Sequence, residues 1–156
     1  MKTKKIKNVL IALDYNPTAQ KIAELGFAFA TAMQAKITLA TIYENYTDYT
    51  PVIYDPIMGF AGYNESDAIS QELIVSNTKK FLEKTKKHLG NENIAIILKE
   101  GSSAEEILNI AKEIKADLIV IGSHSKKWLD KLLIGSTTEK VLRHTEIPML
   151  IIPTKG

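Results

Sequence analysis

The residues of this sequence best placed to do chemistry are small and hydroxyl-bearing rather than charged. Gly122-Ser123-His124-Ser125 and Gly135-Ser136-Thr137 bracket a polar, lysine-bearing connection. Glycines let a backbone approach a ligand closely. The start of a helix offers unpaired N–H groups and the positive end of a dipole. Together these features suit an anion, phosphate above all. The same glycines and hydroxyls would also serve any junction between a strand and a helix, so the spacing alone leaves a purely structural role open. His124 lies between two serines, but a nucleophile, its base and an orienting group must converge in space, and adjacency in sequence does not achieve that. His88 and His144 fall on predicted helices without ligand-like spacing, so no metal held by protein alone is expected.

The elements that must position these residues read clearly. Asp117-Leu118-Ile119-Val120-Ile121 is the uninterrupted apolar run of a strand buried on both faces, and Gly122 ends it. Ser136 is the expected N-cap of the next helix, with Glu139 closing a capping box. Upstream, residues 6–13 form a first strand closed by Asp14, and Asn16-Pro17 opens a helix that runs to Met33. Lys36 to Tyr43 is a second strand. Ser66 to Leu89 is a long helix with Ile74, Thr78, Phe81 and Leu82 on one side and Gly90 as its C-cap. Asn93 to Lys99 is a third strand, and Ser103-Ala104-Glu105-Glu106 a second capping box. Met149 to Ile152 is the last strand, between two prolines. Residues 44–65 hold four of the six tyrosines and show no period. A surface loop covering the sheet edge is the preferred reading there, ahead of a lid.

Strands alternating with helices predict an α/β fold, a single open parallel five-stranded sheet with helices on both faces. Right-handed crossovers leave few topologies, and a central first strand gives the order 3-2-1-4-5. The switch point then falls between the first and fourth strands, where such sheets bind ligands at their carboxyl ends. Asp14 and Gly122 end those two strands, so they are expected to share one crevice.

Gly122, two residues, Ser125, nine residues and Gly135-Ser136 also resemble the ATP-binding signature of the universal stress protein family, Gly-x2-Gly-x9-Gly-Ser/Thr. Ser125 stands where nucleotide-binding members carry the second glycine. The resemblance extends from "NVLIALD" through "DLIVIGSHS" and "LLIGSTTEKVLRH" to "IPMLIIP". It implies an adenine-nucleotide site, for ATP or AMP, drawn from Ala12, Asp14, Ile42, Gly122, His124, Ser125, Gly135, Ser136 and Thr137. Ala12 and Asp14 match positions that meet the base and ribose, with Ala12 where such members often carry proline. Ile42 matches the residue beside adenine. Magnesium or manganese would arrive with the nucleotide, held mainly by its phosphates. The resemblance further implies a homodimer through Met149, Leu150, Ile151 and Ile152, with Ile147 and Pro153 nearby.

The totals fit one domain over residues 1–156, with 45% hydrophobic and 24% charged residues. A net charge of +2 is too small to argue for nucleic acid or an acidic membrane, and the absence of cysteine excludes thiol catalysis and a disulfide framework. The basic residues 1–7 precede an apolar run too brief for a signal peptide or a membrane span, so a cytoplasmic protein is expected. There is no Gly-x4-Gly-Lys-Ser/Thr and no Gly-x-Gly-x2-Gly, which removes P-loop hydrolases and dinucleotide-binding oxidoreductases. Three readings remain: a nucleotide-binding sensor or regulatory module, a family member that acts through dimerisation and protein partners without nucleotide, and a slow ATP hydrolase.

Overall fold

The computed structural model describes residues 3–15, 17–44, 54–55, 59–60, 65–123 and 134–154. In chain order its elements are β1 (Asn8–Ala12), α1 (Ala19–Ala32), β2 (Lys36–Tyr43), β3 (Tyr54–Asp55), β4 (Gly59–Phe60), α2 (Glu65–Leu89), β5 (Ala95–Glu100), α3 (Ser103–Glu113), β6 (Leu118–Gly122), α4 (Ser136–His144) and β7 (Met149–Ile152). Five strands form one sheet in the order β5-β2-β1-β6-β7, all pairs parallel. Counted along the sheet, this is the expected 3-2-1-4-5 arrangement. The segment read as an unstructured loop contains a short antiparallel pair, Tyr54 opposite Phe60 and Asp55 opposite Gly59. Strands of two residues are too short to show a period, which is why the sequence hid them.

Alternation along the strands divides the core into two layers. Val9, Ile11 and Leu13 of β1 and its continuation, with Leu39, Leu118 and Val120, pack against Ala19, Ile22, Ala23 and Ala30 of α1 and Leu82 of α2. Leu10, Ala12, Ala40, Ile119 and Ile121 face the other way, onto Ala104, Ile107, Ile110 and Ala111 of α3 and Val141 of α4. Strands covered on both faces need apolar residues at every position, and β6 is buried throughout. Apart from Ile22, the inner stripe of α1 is made of small residues, so the helix lies close to the sheet. A Cβ on Gly26 would come within 2.9 Å of Ile11 and 3.1 Å of Val120.

Several helix starts differ from expectation. α1 begins at Ala19 with Thr18 as its N-cap, later than Asn16-Pro17 implied; Asn16 lies outside the described residues. The N-cap of α3 is Ser102 and that of α4 is Gly135, and neither makes a side-chain capping bond. Ser103 and Ser136, read as the caps, are instead the first residues of α3 and α4, so the capping boxes do not form and their glutamates pair elsewhere. Glu106 pairs with Lys99 at 3.3 Å, and Glu139 takes two hydrogen bonds from the Arg143 guanidinium. The stripe of α2 reaches the core at Thr78 and Leu82, but Ile74 is 40% exposed. Gly90 ends α2 with φ +72°, the left-handed conformation of a C-cap glycine.

At the amino ends of the strands, the Asp117 carboxylate accepts hydrogen bonds from the backbone N–H of Lys7 and Asn8, at 2.9 and 3.1 Å, and pairs with Lys4. The Asp117 N–H in turn donates to the Asn8 carbonyl at 2.8 Å. These bonds, the two backbone donors first and Lys4 after them, hold the carboxyl below its ordinary pKa of 3.8. A depressed carboxylate stabilises the fold fully above that ordinary value, and the contribution is lost as pH falls through the lower folded value. Asp117→Asn is therefore expected to lower the melting temperature at neutral pH and to flatten its decline below about pH 4. Melts of parent and variant from pH 7 to pH 2 check this, and parallel curves would contradict it.

Candidate functional site

A cleft of about 750 Å³ opens at the carboxyl ends of the strands, within the ~300–1,000 Å³ range of small-molecule sites. It lies where β1 and β6 part, the switch point of the strand order. One wall comes from Ala12, Asp14 and Ile42, with Ser103 and Ile107 at the start of α3. The opposite wall is Gly122 and the run Ile134 to Thr138 at the start of α4. Leu13, Tyr15, Thr41, Ile74 and Thr78 line it on the α1/α2 side of the sheet. Of the nucleotide contacts expected from sequence, Ala12, Asp14, Ile42, Gly122, Gly135, Ser136 and Thr137 all line this one cleft. His124 and Ser125 lie outside the described residues, as do Lys126, Lys127 and Trp128.

The strand pairing explains this convergence. β1 pairs with β2 through Ala12 opposite Ala40, and the Leu13 N–H donates to the Ala40 carbonyl. Two residues beyond that pair, past the end of β1, exposed Asp14 and partly buried Ile42 both line the cleft. α4 starts with Gly135 at φ −65°, ψ 159°, and its first intrahelical bond runs from the Glu139 N–H to the Gly135 carbonyl at 2.9 Å. The N–H groups of Ser136, Thr137 and Thr138 precede that bond and have no partner within the helix. They supply the donor set and positive dipole end expected of an anion site. Ser136 is thus the first residue of the helix rather than its cap.

The structure adds residues that sequence reading missed. Thr138 is buried, and its hydroxyl donates to the Gly122 carbonyl at 2.8 Å. Ser103 reaches the cleft because α3, like α4, begins where a strand ends; the topology alone would have placed it there. Thr41 is 3% exposed, and its hydroxyl has no hydrogen-bond partner among the described residues. Tyr43 stands 3.5 Å from Glu100, and burial followed by that carboxylate raises the phenol above its ordinary pKa of 10. It is therefore a neutral group at pH 7. Among the described residues no three His, Cys, Asp or Glu side chains converge as a metal site.

An open parallel sheet with a ligand-sized cleft at its switch point and a helix N-terminus in the wall defines an α/β architecture. The chain belongs to the universal stress protein family, whose sequence profile it matches over residues 5–153. It is 29% identical over 156 residues to universal stress protein MJ0577 of Methanocaldococcus jannaschii, covering 96% of each chain. In fold it is similar to the universal stress protein UspA from Lactobacillus plantarum, with a TM-score of 0.76 at 20% identity, over 96% of this chain and 99% of that one. It is also similar to a universal stress protein solved in complex with cAMP, with a TM-score of 0.64 at 21% identity, over 97% of this chain and all of that one (100%). No helix among the described residues is long and apolar enough to cross a membrane.

Gly122 is closely packed in the cleft wall. A Cβ there would lie 2.4 Å from Ile22 Cδ1 and 3.0 Å from Thr154 Cγ2. Ile22 Cδ1 is the end of a side chain and can move, so Gly122→Ala is expected to cost about 1–3 kcal/mol rather than abolish folding. Removing that methyl group with Ile22→Val should recover part of the loss. Chemical denaturation of both single variants and the double variant checks this, and strict additivity would show that Ile22 is not what excludes the side chain.

Proposed function

We propose that the cleft binds an adenine nucleotide, ATP or AMP, and that the protein acts as a nucleotide-dependent sensor or regulatory module in stress response. The observation that carries this reading is the meeting of an anion-binding helix start, Gly135 to Thr137, with Asp14, Ile42 and Ala12 in one cleft. Phosphates would take the free N–H groups of the first turn of α4. The Asp14 carboxylate would accept from ribose hydroxyls, and Ile42 and Ala12 would pack against the base. The relative in complex with cAMP supports a nucleotide of this class. Magnesium or manganese would come with the phosphates, since the described carboxylates form no cluster of their own.

Gly135 offers a clean test. Its φ of −65° and ψ of 159° are open to any residue, so a side chain there strains no backbone. Gly135→Val adds bulk where a phosphate is proposed to sit, and each charge-assisted hydrogen bond lost is worth roughly 1.5–3 kcal/mol. Calorimetric titration should show ATP binding to the parent and a loss of a hundredfold or more in the variant, with a melting temperature lowered only slightly. A parent that binds no ATP would select the reading in which the protein works through partners alone.

We also propose that the protein is a homodimer through β7. That strand is at the sheet edge, bonded to β6 on one side only. The carbonyls of Pro148 and Ile152 accept from Ile119 and Ser123. Alternation therefore turns the backbone groups of Met149 and Ile151 outward, where a second copy of β7 would pair. Ile151→Pro removes an outward N–H and leaves the β6 ladder intact. Light scattering at micromolar concentration should give a dimer mass for the parent and a monomer mass for the variant. A monomeric parent would contradict the proposal.

A further inference from the structure

The Thr138 hydroxyl lies 2.8 Å from the Gly122 carbonyl oxygen, across 16 residues of sequence, and Thr138 is 3% exposed. A carbonyl can only accept, so the one hydroxyl proton of Thr138 is committed to it. Thr138 therefore cannot donate that proton to a ligand, although it lines the cleft in the same helical turn as Ser136 and Thr137. Its role has to be exerted through Gly122.

The Gly122 carbonyl is a sensitive group. Its neighbour Ser123 donates to the Ile152 carbonyl of β7, so alternation turns Gly122 toward β1. The pairing of β1 with β6 ends at Ile11 opposite Val120, which leaves that carbonyl facing the gap between the strands. A carbonyl dipole facing the gap would repel an anion bound there. It would also be a buried acceptor without a partner.

We infer that Thr138 is a positioning residue of the cleft. It fastens the end of β6 to the first turn of α4, which fixes the separation of the two halves of the glycine motif, and it covers a backbone oxygen that would oppose a phosphate. This inference rests on the proposed nucleotide site and names what holds that site in shape. A role of this kind acts on the phosphates of the ligand more than on its base.

The test compares Thr138→Val, which keeps the shape and removes the hydroxyl, with Thr138→Ser, which keeps the hydroxyl. ATP affinity should fall about tenfold or more in Thr138→Val and return to within about threefold of the parent in Thr138→Ser. Adenosine, which has no phosphate, should bind parent and Thr138→Val within about threefold of each other. Equal losses for ATP and adenosine, or full ATP affinity in Thr138→Val, would overturn the inference. A second arm needs no ligand. Amide exchange at Ser123 and Glu139, whose N–H groups donate to the Ile152 and Gly135 carbonyls, should quicken in Thr138→Val while β1 and β2 stay protected. Unchanged exchange there would overturn the inference. Quickened exchange in a protein that binds no ATP would uphold the fastening and refute the nucleotide reading instead.

Discussion

A side chain at residue 122 would have to displace Ile22, and much of the molecule converges on that position. Ile22 of α1 presses on the position from one side and Thr154 from beyond β7. The Thr138 hydroxyl holds its carbonyl, and the adjacent Ser123 makes two bonds to the chain end, donating to Ile152 and accepting from the Thr154 N–H at 3.1 Å. Lys21 adds a bond to the Pro153 carbonyl at 2.8 Å. α1, β6, α4 and the residues after β7 are thus locked together at the point where the central strands part. Glycine fits this packing without displacing Ile22, so the glycine that begins the motif has a structural use independent of any ligand.

The cleft follows from this lock. Because β6 is fixed at its carboxyl end and α4 starts beside it, Ser136 and Thr137 share one cleft of ligand size with Asp14 and Ile42. At the other end of the same two strands, Asp117 fastens β1 to β6 through Lys7 and Asn8. Asp117 holds the central pair at its amino end, the Thr138 hydroxyl ties β6 to α4 at the other, and the parallel backbone ladder of β1 and β6 runs between.

Much of this was legible in the sequence. Lys36 to Tyr43 was bounded correctly because β-branched residues fill it between an exposed lysine and a glutamate, and β6 announced itself as an unbroken apolar run. The strand order followed from connection rules, and with it the meeting of Asp14 and Gly122. Local end signals were less dependable. Glu106 and Glu139 stood at capping-box spacing, yet each was drawn to a cation instead of a backbone N–H. Thr138 was invisible because its partner is set by tertiary structure, and beside Thr137 nothing in the sequence says which hydroxyl faces the ligand and which faces the strand. Thr41 was hidden for a related reason: a threonine in a buried strand looks like a β-branched filler until its hydroxyl proves to have no partner among the described residues.

The central claim is that the two walls of one cleft hold one nucleotide. Amide chemical shifts of the isotope-labelled protein, followed during titration with ATP and magnesium, test it most directly. The account predicts saturable changes at Ser136 and Thr137 on one wall and at Asp14 and Ile42 on the other, all giving the same dissociation constant. Shifts confined to one wall, shifts centred elsewhere, or none at millimolar ATP would contradict it.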